Sequence, residues 1–232
     1  MNRPIVALDF STMEQVRAFL KHFDEPLFVK VGMELYLQNG PEVIKELRSM
    51  GHDVFLDLKL HDIPNTVGKA MEGLAALDVQ MTNVHAQGGV AMMKRAAESF
   101  RNYNPDGLLI AVTQLTSMSE EVVREELGSR LSLDESVVHF AKLAQSAGLD
   151  GVVCSPLEAE LIHEACGKEF ITVTPGIRMQ SDTQDDQVRI ITPEGAKSAG
   201  CDYIVVGRSI TRDRDPSEKY HRIKKEFESG DK

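Results

Sequence analysis

The strongest constraint on this 232-residue chain is an alternation of short apolar runs with amphipathic stretches, repeated eight times from end to end. The apolar runs are IVALDF (5–10), LFVKVG (27–32), DVFLDLKL (53–60), MTNVH (81–85), LLIAVTQL (108–115), GVVCS (151–155), FITVTPGI (170–177) and YIVVGRS (203–209). Short runs bounded by turn residues read as strands buried on both faces, as in parallel sheets. The stretches between them read as helices. Val16, Phe19, Leu20 and Phe23 fall at i, i+3, i+4 and i+7, behind a capping box of Ser11 and Glu14. Gly40-Pro41 opens a helix lined by Val43, Ile44, Leu47 and Met50, and Pro64 opens one lined by Val67, Met71, Leu74 and Ala75. Further helices are expected after Gly88-Gly89, from Asp134, and after Pro156, Pro193 and Pro216, with a short acidic one near 119–128. Eight such units in a chain of this length predict an α/β fold, a single-domain (β/α)8 TIM barrel over residues 1–232. The rival is an open doubly wound sheet, but no GxGxxG follows the first strand.

Barrels of this kind do their chemistry at the C-terminal ends of the strands, and the sequence puts its out-of-place charges there. The third strand runs into DLKLHDIPNT (57–66). Asp57 and Lys59 are two residues apart and are expected on one face, with Leu58 and Leu60 on the other. Asp62 follows three residues later. An unpaired buried charge costs on the order of several kcal/mol, so an ion pair is the plainest reading of Asp57 and Lys59 alone. The other strand ends carry Asp9, Lys30, His85, Thr116, Arg178 and Gly207-Arg208. Singly, each has an ordinary explanation as helix cap, snorkelling stem, core histidine, turn or solvated loop. Jointly they describe a charged mouth. The loops after the seventh and eighth strands, TPGIR and VGRS, combine glycines Gly176 and Gly207 with Arg178 and Arg208, the composition of a phosphate cradle. The polar stretch 178–189 is long enough for a mobile lid.

The formal net charge of −10 argues against a nucleic-acid partner but not against a small anion held by local cations. Cys154, Cys166 and Cys201 are odd in number and lack CxxC spacing, which suggests reduced thiols in a cytoplasmic protein and no zinc site. No apolar stretch is long enough for a signal peptide or a membrane span.

Together these segments resemble the orotidine 5′-phosphate decarboxylase family in its bacterial form, over essentially the whole chain. The resemblance lies in Asp9, FVKVG with Lys30, DLKLHDIPNT, LTS (115–117), VTPGIR (173–178), Gln187 before VRI, and VGRSIT ending at Thr211. The DxKxxD core alone also fits magnesium-dependent sugar-phosphate decarboxylases and aldolases of related barrels, and those remain the alternative. Gln87 in VHAQGG, where a small residue is usual, is a minor departure. The resemblance implies conversion of orotidine 5′-monophosphate to uridine 5′-monophosphate without metal or organic cofactor. It implies that Lys59 stabilises a carbanion and donates the proton, with Asp57, Lys30 and Asp62 completing the charge network. Asp9 and Lys30 would meet the ribose, Thr116 the pyrimidine edge, Gln187 both base and phosphate, and Gly207 and Arg208 the phosphate, with Arg178 on the lid. The whole DLKLHDIPNT run, including Leu58, Leu60, His61, Pro64 and Asn65, is implied to contribute to substrate binding. A homodimer is implied too, in which Asp62, Ile63 and Thr66 reach into the partner's site.

Overall fold

The computed structural model describes residues 3–179 and 191–229. Its eight parallel strands close into a barrel in sequence order, the last pairing with the first. They are β1 Ile5–Ala7, β2 Phe28–Gly32, β3 Asp53–Leu60, β4 Met81–His85, β5 Leu108–Val112, β6 Gly151–Val153, β7 Ile171–Thr174 and β8 Tyr203–Val206. The expected (β/α)8 barrel is therefore the fold. Several strands end earlier than the apolar runs do, because the chain leaves the strand ladder at the rim. Asp9, Thr116 and Pro175 all lie just past their strands.

The outer layer is built from α1 Met13–Leu20, α2 Met33–Asn39, α3 Glu42–Ser49, α4 Pro64–Ala75, α5 Gly89–Tyr103 and α6 Leu133–Ser146. It continues with α7 Ala159–Cys166, α8 Pro193–Ser198, α9 Arg208–Thr211 and α10 Pro216–Ser229. The apolar faces read from the sequence are the ones buried: Val16, Phe19 and Leu20 on α1, Val43, Ile44 and Leu47 on α3, Val67, Met71, Leu74 and Ala75 on α4. Met50 falls beyond α3 and is 44% exposed, so it does not extend that stripe. The first helix is capped one residue later than expected. Thr12 accepts the Gln15 N–H and the Gln15 side chain returns to the Thr12 N–H, whereas the Ser11 hydroxyl donates to Glu34. The short acidic helix is a π-helical turn, Val122–Glu126. Among the described residues no helix is long and apolar enough to cross a membrane.

Strand alternation divides the core in two. Val6, Val29, Val31, Val54 and Leu56 face outward and pack with the helices in one large buried cluster. Ile5, Ala7, Phe28, Phe55, Met81, Ile110, Val173 and Val205 form a second cluster that fills the barrel interior. A close approach on β6 helps close that interior: a Cβ on Gly151 would stand 2.1 Å from the Ile171 carbonyl oxygen.

Candidate active site

Two residues further along five of the strand lines, the interior changes from apolar to charged, amide or glycine. Ala7 leads to Asp9, Phe28 to Lys30, Phe55 to Asp57, Met81 to Asn83 and Val205 to Gly207. The period of two carries these side chains from the plugged floor to the C-terminal mouth. A cavity of about 240 Å³ opens there. Asp9, Lys30, Asp57 and Lys59 line it. Thr116, Gly176, Arg178, Gly207 and Arg208 line it too, and a Cβ on Gly207 would stand 3.4 Å from Asp9 Oδ2.

The charged groups form a chain of alternating sign. Lys30 Nζ is 3.4 Å from Asp9 Oδ1 and 3.6 Å from Asp57 Oδ2. Lys59 Nζ is 2.6 Å from Asp57 Oδ1. Burial drives the Asp57 carboxyl up, but the Lys30 and Lys59 charges and the hydrogen bonds from Lys59 and Asn83 outweigh it. The net result holds Asp57 below the usual carboxylate range, ionised at neutral pH.

Lys59 does not reach Asp57 by simple strand alternation. Its φ is 53°, in the left-handed region that costs an L-residue roughly 1–2 kcal/mol. The β3–β4 register breaks at the same place, between Leu56 and Leu60. Leu58 and Leu60 still point away from the cavity, as expected, and pack against the helix-side core. They are not among the residues that line the mouth.

His61, Asp62, Ile63, Pro64, Asn65 and Thr66 are all exposed and stand outside the cavity of their own chain. Pro64 begins α4, and the Asp62 carboxylate accepts the Ile63 N–H at 2.6 Å instead of joining Lys59. Ile63 is 65% exposed. The His61 ring stacks on His85, with centroids 5.5 Å apart and planes 21° from parallel. Burial, then the neighbouring His61 and Lys59 charges, push His85 below the ordinary histidine value and favour its neutral form.

The second half of the mouth is held by backbone and amide contacts. Gln114 Nε2 donates to Ser136 Oγ at 2.8 Å, and Gln87 Nε2 donates to Gln114 Oε1 at 3.2 Å, fixing the loop that carries Thr116. Gln87, an oddity in the sequence, thus has a structural task. Arg178 is buried, and its Nη1 donates to the Ile177 carbonyl at 3.1 Å. Its backbone N–H donates to the Ile191 carbonyl, and the Ile191 N–H donates to Gly176, a clasp at the base of the expected lid. Most of that stretch, with Gln187, lies outside the described residues. Gln114, which lines the cavity, and Asn83, which bonds Asp57 from behind it, are missed by the strand-end reading. Each is a buried amide in an apolar run, a placement that strands disfavour unless the amide is bonded.

A closed parallel barrel with its acids, lysines and arginines gathered at the C-terminal mouth defines a (β/α)8-barrel enzyme. Residues 2–223 match the orotidine 5′-phosphate decarboxylase / HUMPS family, and the chain belongs to it. It is 58% identical over 224 residues to a protein of Staphylococcus aureus (strain Newman) named orotidine 5′-phosphate decarboxylase, covering 97% of each chain. Among solved structures it resembles the orotidine 5′-phosphate decarboxylase of Lactobacillus acidophilus, at TM-score 0.90 and 45% identity over 99% of this chain and 100% of that one. An uncharacterized conserved protein of Geobacillus kaustophilus is similar too, at TM-score 0.86 and 49% identity over 96% of this chain and 99% of that one.

Proposed function

We propose that this chain decarboxylates orotidine 5′-monophosphate to uridine 5′-monophosphate in pyrimidine biosynthesis, using fixed charges and no metal or organic cofactor. The observation that carries the reading is the Asp9–Lys30–Asp57–Lys59 series at the mouth, with Arg178, Gly207 and Arg208 lining the same cavity. The family membership and the 58% identical relative support it.

In the reaction the bond between pyrimidine carbon 6 and its carboxylate breaks, carbon dioxide leaves, and the electron pair stays on carbon 6. The Lys59 ammonium stabilises that developing charge and then gives carbon 6 a proton, and its amine recovers one from water. Asp57 keeps Lys59 charged and aimed, and lies where the departing carboxylate would be repelled. Lys30, between two carboxylates, fixes the network and reaches the ribose, whose hydroxyls Asp9 accepts. Thr116 reads the pyrimidine edge. Arg208 and the Gly207 amide hold the phosphate, with Arg178 beside them and Gln187 from the lid. Binding energy from that remote phosphate can be used in the chemical step.

The exposed run from His61 to Thr66 suits a homodimer in which Asp62, Ile63 and Thr66 complete the partner's mouth. The deciding experiment follows the absorbance of orotidine monophosphate with the purified protein in EDTA. Turnover undiminished by EDTA is expected. Activity abolished by EDTA and restored by magnesium would replace this reading with the magnesium-dependent sugar-phosphate one. Tight uridine monophosphate binding without carbon dioxide release would indicate a binding protein.

A further inference from the structure

We infer that Asn83 is a positioning residue for this reaction, whose carboxamide joins the Lys59 backbone and the Asp57 carboxylate into one rigid unit. The inference rests on the reading of the mouth as the decarboxylation site. β3 and β4 run in register as far as Leu56 opposite Thr82, and resume at Leu60 opposite Val84. Residues 57, 58 and 59 of β3 therefore face the single β4 residue Asn83. A regular ladder cannot serve three residues with one, so the Lys59 N–H must find another acceptor.

Asn83 supplies it from its side chain. Its Oδ1 accepts the Lys59 N–H at 2.8 Å, and its Nδ2 donates to Asp57 Oδ1 at 2.7 Å. The same Asp57 oxygen accepts Lys59 Nζ at 2.6 Å. The result is a closed ring: amide to lysine backbone, lysine ammonium to carboxylate, carboxylate back to amide. Left-handed backbone at a lysine persists only where its surroundings enforce it, and this ring does so. Asn83 is fully buried and does not line the cavity, so it acts through Lys59 and Asp57, not on substrate. The task needs an acceptor and a donor on one short stem, which asparagine has. Aspartate would offer acceptors to both partners, and alanine neither function.

The test compares wild type with Asn83→Asp and Asn83→Ala, measuring kcat and KM for orotidine monophosphate, uridine monophosphate affinity and melting temperature. Active sites are counted by uridine monophosphate titration. Displacing the ammonium by about 1 Å should lower kcat per site on the order of 10²-fold. KM and uridine monophosphate affinity should change by no more than about threefold, because phosphate, ribose and base contacts lie elsewhere. A merely structural Asn83 would lower the melting temperature and leave kcat per site intact. Should Asn83→Ala not fold, Asn83→Asp decides, since it keeps the shape and the acceptor for the Lys59 N–H. Wild-type turnover with undiminished kcat in the folded variant overturns this inference alone. Wild-type protein that leaves orotidine monophosphate intact overturns the reading of the site, and this inference with it.

Discussion

Replacing Asp57 by asparagine removes one charge from the centre of the network and changes almost no volume. Asp57 is bridged by Lys59 at 2.6 Å and by Lys30 at 3.6 Å, so Asp57→Asn leaves two ammonium groups without their shared counter-ion. Breaking a fully buried pair costs about 3–5 kcal/mol. The two lysine side chains retain 15% and 27% of their exposure, so water screens part of the loss and about 2–3 kcal/mol is expected. In a chain of this size that lowers the melting temperature by roughly 4–12 °C. The sign of the pH dependence follows from the depressed value of Asp57 in the folded protein. Its stabilisation is complete above the unfolded aspartate value of about 3.9 and disappears only as pH falls through the lower folded value. Equilibrium urea unfolding of both proteins, at equal concentration and at roughly pH 7, 5.5 and 3.5, measures this directly. The gap should be the same at the first two and narrow at the third. An Asp57→Asn protein as stable as wild type at neutral pH, or a gap already gone at pH 5.5, would refute the idea that the carboxylate anchors both lysines.

Lys59→Ala should leave a folded protein whose orotidine monophosphate turnover is lower by roughly 10³-fold or more, since on the proposed reading it loses the charge aimed at carbon 6; near-normal initial rates would remove Lys59 from that role. Mixing Lys59→Ala with Asp62→Ala chains should restore part of the activity if sites are shared, because one hybrid mouth is then wild type; no recovery despite demonstrated subunit exchange would count against sharing. Gly151→Ala should destabilise by about 1–3 kcal/mol in urea unfolding, because the added methyl meets the Ile171 carbonyl at the β6–β7 seam.

The barrel is legible in the sequence because its signal is repeated: eight apolar runs, separated by stretches that read as helices, leave little room for another topology. The charged mouth is legible because a lysine or aspartate two residues beyond an interior phenylalanine must occupy the same side of the strand, as Lys30 follows Phe28 and Asp57 follows Phe55. Local ambiguity accounts for the shifted first cap. Ser11 with Glu14 and Thr12 with Gln15 are equally good pairs on paper, and the choice fell to the hydroxyl that Glu34 does not occupy. α2 carries no periodic stripe, since only Leu35 of its residues is buried, and it follows β2 without a loop. The left-handed Lys59 and the amide that holds it were beyond local reading. Nothing marks a lysine for positive φ, and Asn83 meets its partners from 24 and 26 residues away.

The apolar floor has a consequence for traffic. With Phe28, Phe55, Met81 and Ile110 packed across the barrel's width, the well is blind. Nucleotide and carbon dioxide must leave by the opening through which the substrate came. On the proposed reading a departing nucleotide shares its doorway with the next arrival, so uridine monophosphate should inhibit competitively, and the pace of its exit limits how often the chemistry can begin again.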